Sequence, residues 1–333
     1  MPNVWTHLIF GQQCLKSIGE DRLIVSPELL RMFNLGCQGP DFLFYHHFLP
    51  WQKDKTMNLL GSEMHSKHCG PVIMDLLDVL DGCSLHEDSP DPAVVYALGF
   101  VLHHILDRIM HPYVFSRSGF RKWDHQRFEV IMDTLIVRKL LGIETWKTAV
   151  WREINTQGRL PDKTVDAFEQ IAAVHYPELA ARIRRESWNN AVLDMIRAQR
   201  LFYDPTGLKR IFTFRQIEPF VYKCKVPQLD FLNESGTDWL DPTDGKRTRN
   251  ESIWIMWDKA MEEGQAVLTA IMKWLNNQYK HKQGVLSEDE MYLTYQLRET
   301  AAELIGNRSY ETGLFCDSRA EIRYADPIWP DPH

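Results

Sequence analysis

The stretch from Leu98 to Pro112 reads LGFVLHHILDRIMHP, and His103, Asp107 and His111 recur in it at one-turn spacing. On a helix, residues four apart stand nearly above one another. Imidazole, carboxylate and imidazole would then form a row of donors of the kind zinc accepts. His125 and Glu129 repeat the pairing of imidazole and carboxylate farther on. Upstream, GPDFLFYHHF gathers Asp41, His46 and His47, and His7 lies near the N-terminus. Ten of the 13 histidines fall in the first 125 residues, where an even spread would give about five. Histidine is the commonest metal ligand. A histidine with an acid four places on is no more frequent here than chance provides, so that spacing alone decides nothing. The ordered set His7, Asp41, His47, His103, Asp107, His111, His125, Glu129 carries more. On the residues alone, a metal site and polar pairs on helix surfaces both stay open.

The elements that must position these residues are helical. Trp257, Met261, Val267, Leu268, Ile271 and Leu275 line one face of a helix expected from about Ser252 to Asn277. Other helices are expected near Thr6 to Ser17, Met57 to Asp81, Pro92 to Met110, Trp123 to Leu141, Tyr176 to Arg200 and Ser287 to Leu304. Ser26 before Pro27, and Ser287 before Glu288, Asp289 and Glu290, read as helix starts. Pro112 is expected to end the histidine-bearing helix. Period-2 alternation is scarce and no glycine-rich phosphate loop occurs, so the fold class is all-α. Residues 1–141 would form the zinc-binding helical core. Residues 142–333 would add helices packed on it, with a polar stretch from Asp230 to Asn250 as a long loop or a connection.

At 333 residues the chain can bury one large or two medium cores. Acids outnumber bases, 45 to 38, which gives no general attraction to nucleic acid or anionic membranes. The six cysteines form no C-x-x-C pair and fit free thiols in a reducing compartment. The N-terminus has no basic start with a long apolar stretch, and the longest apolar run, Ala93 to Leu102, is too short to span a bilayer. The chain is therefore expected to be cytoplasmic, without stable membrane insertion.

In its histidines and carboxylates the chain resembles the bacterial zinc-dependent phospholipase C family. The matching elements occur in order: His7, Pro40-Asp41-Phe42, His47-Phe48, His103 with Asp107, His111-Pro112, and His125 with Glu129. The lead-in Tyr96-Ala-Leu-Gly-Phe100 and Asp133, one turn after Glu129, also match. The resemblance covers about the first 140 residues. It implies a helical domain of the phospholipase C and zinc nuclease type holding up to three zinc ions. One ion would take Asp41, His47, His103 and Asp107, a second His111, His125 and Glu129. The third would take His7 and Asp107, with Asp107 bridging. In the family the third ion also takes the mature N-terminal amine, a role that Pro2 would fill once Met1 is removed.

The resemblance further implies hydrolysis of a phosphodiester, of a phospholipid or a soluble compound, by metal-activated water, with Asp41 both ligand and proton acceptor. Three Zn²⁺ against Asp41, Asp107 and Glu129 leave the site positive inside an acidic protein, which attracts phosphate without a basic patch. Two alternatives stand beside this: a zinc-dependent nuclease or phosphomonoesterase, and a non-catalytic metal-binding helical module. His46 and His104 could orient ligands or face the core. His65 and His68 read as a solvated helix face rather than the cleft mouth, Asp133 as a structural acid, and Trp254, Trp257 and Trp274 as core.

Overall fold

A computed structural model describes residues 3–85, 89–281 and 287–330. Its helices are α1 Val4–Ser17, α2 Pro27–Gly36, α3 Thr56–Ser66, α4 Cys69–Asp78, α5 Pro92–Ser118 and α6 Asp124–Leu141. They continue as α7 Asp162–His175, α8 Pro177–Ala180, α9 Arg185–Phe202, α10 Leu208–Phe212, α11 Ile253–His281 and α12 Glu288–Ile305. Two-residue strands, Trp239–Leu240 and Thr248–Arg249, pair antiparallel and are the only strands among the described residues. The protein is all-α.

The architecture is organised around α5. Asp91 caps it by accepting from the Ala93 amide at 2.9 Å, with Pro92 in its first turn. The residues from Ala93 to Val114 are buried on every side, which places α5 in the centre of the core, apolar but for the row of polar side chains from His103 to His111. It has the length and hydropathy of a membrane span, but that window is wholly buried within the protein. Helices α1, α2, α6 and α11 surround it. On its polar side the Arg108 guanidinium reaches Glu263 of α11 at 2.7 Å.

Three sequence expectations need correction. Pro112 does not end α5, which runs on to Ser118 and stops at Gly119, a residue with φ of 74°. Proline leaves the Arg108 carbonyl without its helical donor. That carbonyl lies against Gly313, where a Cβ would sit only 2.2 Å from it. The distant chain thus covers the gap, and the helix continues. The span from Met57 to Asp81 is two helices, because His68 takes a left-handed φ of 57° between them. The span from Tyr176 to Arg200 is likewise broken, into α8 and α9. The polar stretch from Asp230 to Asn250 is a loop, one of the two forms expected of it, and it carries the short strand pair. Asn233 Nδ2 donates to the Thr237 and Asn250 carbonyls at 2.9 and 3.1 Å, and Trp239 is buried edge-on against Tyr113 at 5.3 Å.

The other starts agree with expectation. Ser26 Oγ accepts from the Leu29 amide, and Ser287 forms a reciprocal capping box with Glu290. Trp257 and Trp274 are buried, and Trp254 packs against the core from its edge. Residues beyond 141 enter the same apolar core as those before it. Phe168 of α7 stacks on Trp188 of α9 at 5.2 Å and packs on Phe42, beside Asp41, at 5.9 Å.

Candidate metal centre

Five elements deliver the ligand types. α1 carries His7, the 3-10 turn Gly39–Tyr45 carries Asp41, α3 carries His65, α5 carries His103, Asp107 and His111, and α6 carries His125 and Glu129. They meet as three groups with ligand atoms mutually within 4.8 Å: His7, His103 and Asp107; Asp41, His65 and His103; His111, His125 and Glu129.

Three of the imidazoles are oriented from behind. His103 Nδ1 donates to the Cys37 carbonyl at 3.0 Å, His65 Nδ1 to Gly61 at 2.6 Å, and His111 Nδ1 to Tyr310 at 2.8 Å. With the proton committed to Nδ1, the lone pair is on Nε2 in all three rings and points to the centre. This arrangement fixes the tautomer of a metal-binding histidine. The Nε2 atoms of His7, His103 and His111 and both oxygens of Asp107 are buried without a hydrogen bond among the described residues. They are nevertheless close: His103 Nε2 lies 3.0 Å from Asp107 Oδ2, and His7 Nε2 lies 3.2 Å from Asp107 Oδ1. Unpaired buried carboxylate oxygens facing imidazole lone pairs are costly in a bare protein. A cation between them satisfies both. The donor set, imidazole nitrogen and carboxylate oxygen with no thiolate, fits zinc.

Charge is tuned the same way. Burial works against an ionised Asp107, but His103, His111 and His7 hold its carboxyl well below the usual range. Burial would likewise raise Glu129, yet His125, 2.6 Å away, helps bring it down to about 2. Burial pushes the His111 imidazole well below its ordinary value, so the ring is neutral, as a ligand must be.

Two features make room for these rings. Gly39 has φ of 50°, and a Cβ there would lie 2.1 Å from His103 Cδ2. Gly39→Ala should destabilise the fold by more than about 2 kcal/mol in denaturant unfolding, combining left-handed strain with the clash. It should also reduce bound metal. Asp133, expected to be structural, anchors α1 just before His7. Its Oδ1 accepts from the Thr6 amide and hydroxyl at 2.6 and 2.5 Å, and its Oδ2 from the Trp5 amide and the Tyr222 hydroxyl at 3.3 and 2.5 Å. Asp133→Asn replaces one acceptor by a donor that faces donors. It should cost about 2 kcal/mol in the same measurement.

The structure does not bring His47 into the centre. Its φ is 53°, its Nδ1 sits 3.3 Å from the Asp54 carbonyl and its ring stacks on His46 at 3.9 Å. The 3-10 turn ends at Tyr45, and the backbone after it carries His47 away. His65 stands there instead, buried, with Nε2 3.1 Å from Asp41 Oδ1. It is not on a solvated face. Met57, Leu60, Gly61 and Met64 are buried with it on one side of α3. That apolar stripe in the sequence was the signal for an inward histidine. Pro2 lies outside the described residues. His104 donates from Nε2 to the Arg308 carbonyl at 2.8 Å and packs on Tyr310 at 4.6 Å. It supports the segment whose carbonyl holds His111 and approaches no ligand atom group.

The family model for zinc-dependent phospholipase C matches residues 6–188, more than half of the chain. The chain belongs to that family. No curated protein and no solved structure matches it significantly. All eight residues of the three groups lie within the family match. The Tyr310 carbonyl and Gly313, which brace α5, lie beyond it. In this family member a cleft of about 660 Å³ opens on the centre, reaching His65, His111, His125 and Glu129. Its walls are aromatic, with Phe44, Phe48, Phe115, Trp123 and Phe220, and Lys55 and Arg121 supply cations.

Proposed function

We propose that this protein hydrolyses a phosphodiester bond of a phospholipid, with zinc held by His7, Asp41, His65, His103, Asp107, His111, His125 and Glu129. The observation that carries the reading is the convergence of buried imidazole and carboxylate atoms, unpaired on His7, His103, Asp107 and His111, behind an aromatic-walled cleft that reaches the centre at His65, His111, His125 and Glu129. Up to three ions fit the donor count, because Asp107 offers one oxygen toward His7 and the other toward His103. When bound, zinc supplies Lewis acidity, lowering the pKa of water towards ~7 and drawing in phosphate oxygens.

The chain's own residues do the rest. Asp41 turns Oδ1 to the His65 and His103 imidazoles, at 3.1 and 3.7 Å. Its other oxygen is the proton acceptor for the attacking water. Lys55 and Arg121 add positive charge for the phosphate, and the aromatic walls exclude water from the reacting centre. Cations beside an apolar wall suit an amphiphile. A long polynucleotide would call for a basic stripe, which a chain of net charge −7 favours less.

Untagged protein should contain two to three zinc ions by elemental analysis, and should release a phosphorylated headgroup from short-chain phosphatidylcholine. Cleavage of single-stranded DNA in place of the lipid would make the protein a nuclease. Stoichiometric zinc with no hydrolysis of either would leave a non-catalytic metal module.

A further inference from the structure

The segment after α9 places large apolar side chains in solvent. Leu208, Ile211, Phe212 and Phe214 are 54, 68, 78 and 88% exposed within seven residues. Single exposed apolar residues are ordinary, but a contiguous set marks a binding surface. The segment is also tightly built. Asp204 accepts from the Lys209 and Arg210 amides at 3.1 and 3.0 Å. Lys209 Nζ donates to the Arg200 and Tyr203 carbonyls, both at 2.7 Å, and Thr213 Oγ1 to the Lys209 carbonyl at 2.8 Å. Phe214 and Arg215 both hold left-handed backbone, with φ of 51° and 63°. Consecutive left-handed residues other than glycine are uncommon. Here they end α10 with the Phe214 ring held outward.

Charge accompanies the apolar set. Lys209, Arg210, Arg215, Lys223 and Lys225 stand against two acids, Asp204 and Glu218, across residues 204–225 of an otherwise acidic chain. Arg210 pairs with Asp204 and Lys223 with Glu218. Arg215 and Lys225 are exposed and make no ion pair among the described residues. The stretch is continuous with the catalytic cleft. The Glu218 amide donates to the Arg215 carbonyl at 3.1 Å, and that of Phe220 to Ile217 at 3.0 Å. Phe220 then stacks on Phe202 at 4.7 Å and meets Trp123 edge-on at 5.2 Å, and both Phe220 and Trp123 line the cleft. Phe120, 60% exposed, lines it too.

We infer that Leu208–Arg215 docks the protein on the headgroup face of a phospholipid bilayer containing anionic lipid. Its aromatic and aliphatic side chains enter the boundary between headgroups and acyl chains. Arg215 and Lys225 stay among the phosphates. A second copy of the chain is the poorer occupant, because a two-fold contact would set this basic stretch against itself. The inference rests on the phospholipid reading above for its purpose, but the binding can be measured without turnover.

The test is co-sedimentation of the full chain with vesicles of phosphatidylcholine, with and without phosphatidylserine. Wild type should sediment with the vesicles, more strongly with phosphatidylserine and less in high salt. Phe212→Ser with Phe214→Ser, and separately Arg215→Glu with Lys225→Glu, should each weaken vesicle binding by at least about tenfold. Both should leave hydrolysis of a soluble chromogenic phosphodiester unchanged. Wild type remaining in the supernatant overturns the inference, and so do variants that bind as well as wild type. A dimer that the phenylalanine variant converts to monomer, with no vesicle binding, also overturns it and assigns the surface to self-association. Vesicle binding without lipid cleavage supports docking and counts against the phospholipase reading. Cleavage of the soluble diester without vesicle binding overturns docking and supports phosphodiester hydrolysis alone.

Discussion

Asp107→Ala is expected to remove more than one zinc ion per chain and to lower phosphodiester hydrolysis by about three orders of magnitude. Removing a group that merely orients a ligand costs about 10–100-fold. Asp107 stands closer to the chemistry than that. Its two oxygens are buried, unpaired, and aimed at two different imidazoles. If Asp107 bridges two ions as proposed, its loss would withdraw a charge from both at once and leave His7 and His103 without a shared partner. Elemental analysis and the rate on a chromogenic phosphodiester check this together, with far-UV circular dichroism to confirm that α5 is intact. Loss of a single ion at most, with the rate within tenfold of wild type, would show that Asp107 does not bridge.

The second large effect separates two histidines 18 positions apart in the chain. His65→Ala should lose the ion shared with Asp41 and His103 and at least about a hundredfold in rate. His47→Ala should keep full zinc content, since its ring is stacked on His46 and directed at the Asp54 carbonyl. The reverse pattern would restore His47 as the ligand. Measuring zinc content and rate on both variants in one preparation makes the comparison independent of the absolute activity.

Much of this centre was legible because it obeys helix periodicity. His103, Asp107 and His111 share a face of α5, and His125 and Glu129 share one of α6, so spacing alone places them together once the helices exist. His65 and His47 were not separable by motif. The apolar stripe of α3 points His65 inward, but the exit from the 3-10 turn that carries His47 away is a tertiary fact. The same holds for Pro112. Local chemistry says that proline stops a helix, and it takes Gly313, 201 positions away in the numbering, to cover the orphaned Arg108 carbonyl. The helix breaks at His68 and between Ala180 and Arg185 fall inside stretches whose apolar pattern gives little warning of them. The loop around Asn233 is ordered by one side-chain amide that reaches the carbonyls of Thr237 and Asn250, four and 17 residues on, a contact that composition cannot reveal.

The hydrogen bond from His111 to the Tyr310 carbonyl spans 199 residues of sequence. During synthesis, His111 leaves the ribosome with its ring unfixed and stays so until Tyr310 follows. At about 5–20 residues per second that interval is roughly 10–40 s. Once Glu129 has followed, the nascent chain carries all eight candidate ligands, one of them still without its brace. Ions captured in that interval would meet a pliable set of donors, able to adapt to whichever divalent metal is most available. On the zinc reading proposed above, the rigid geometry that would select the ion is completed only when the distal chain folds back onto His111.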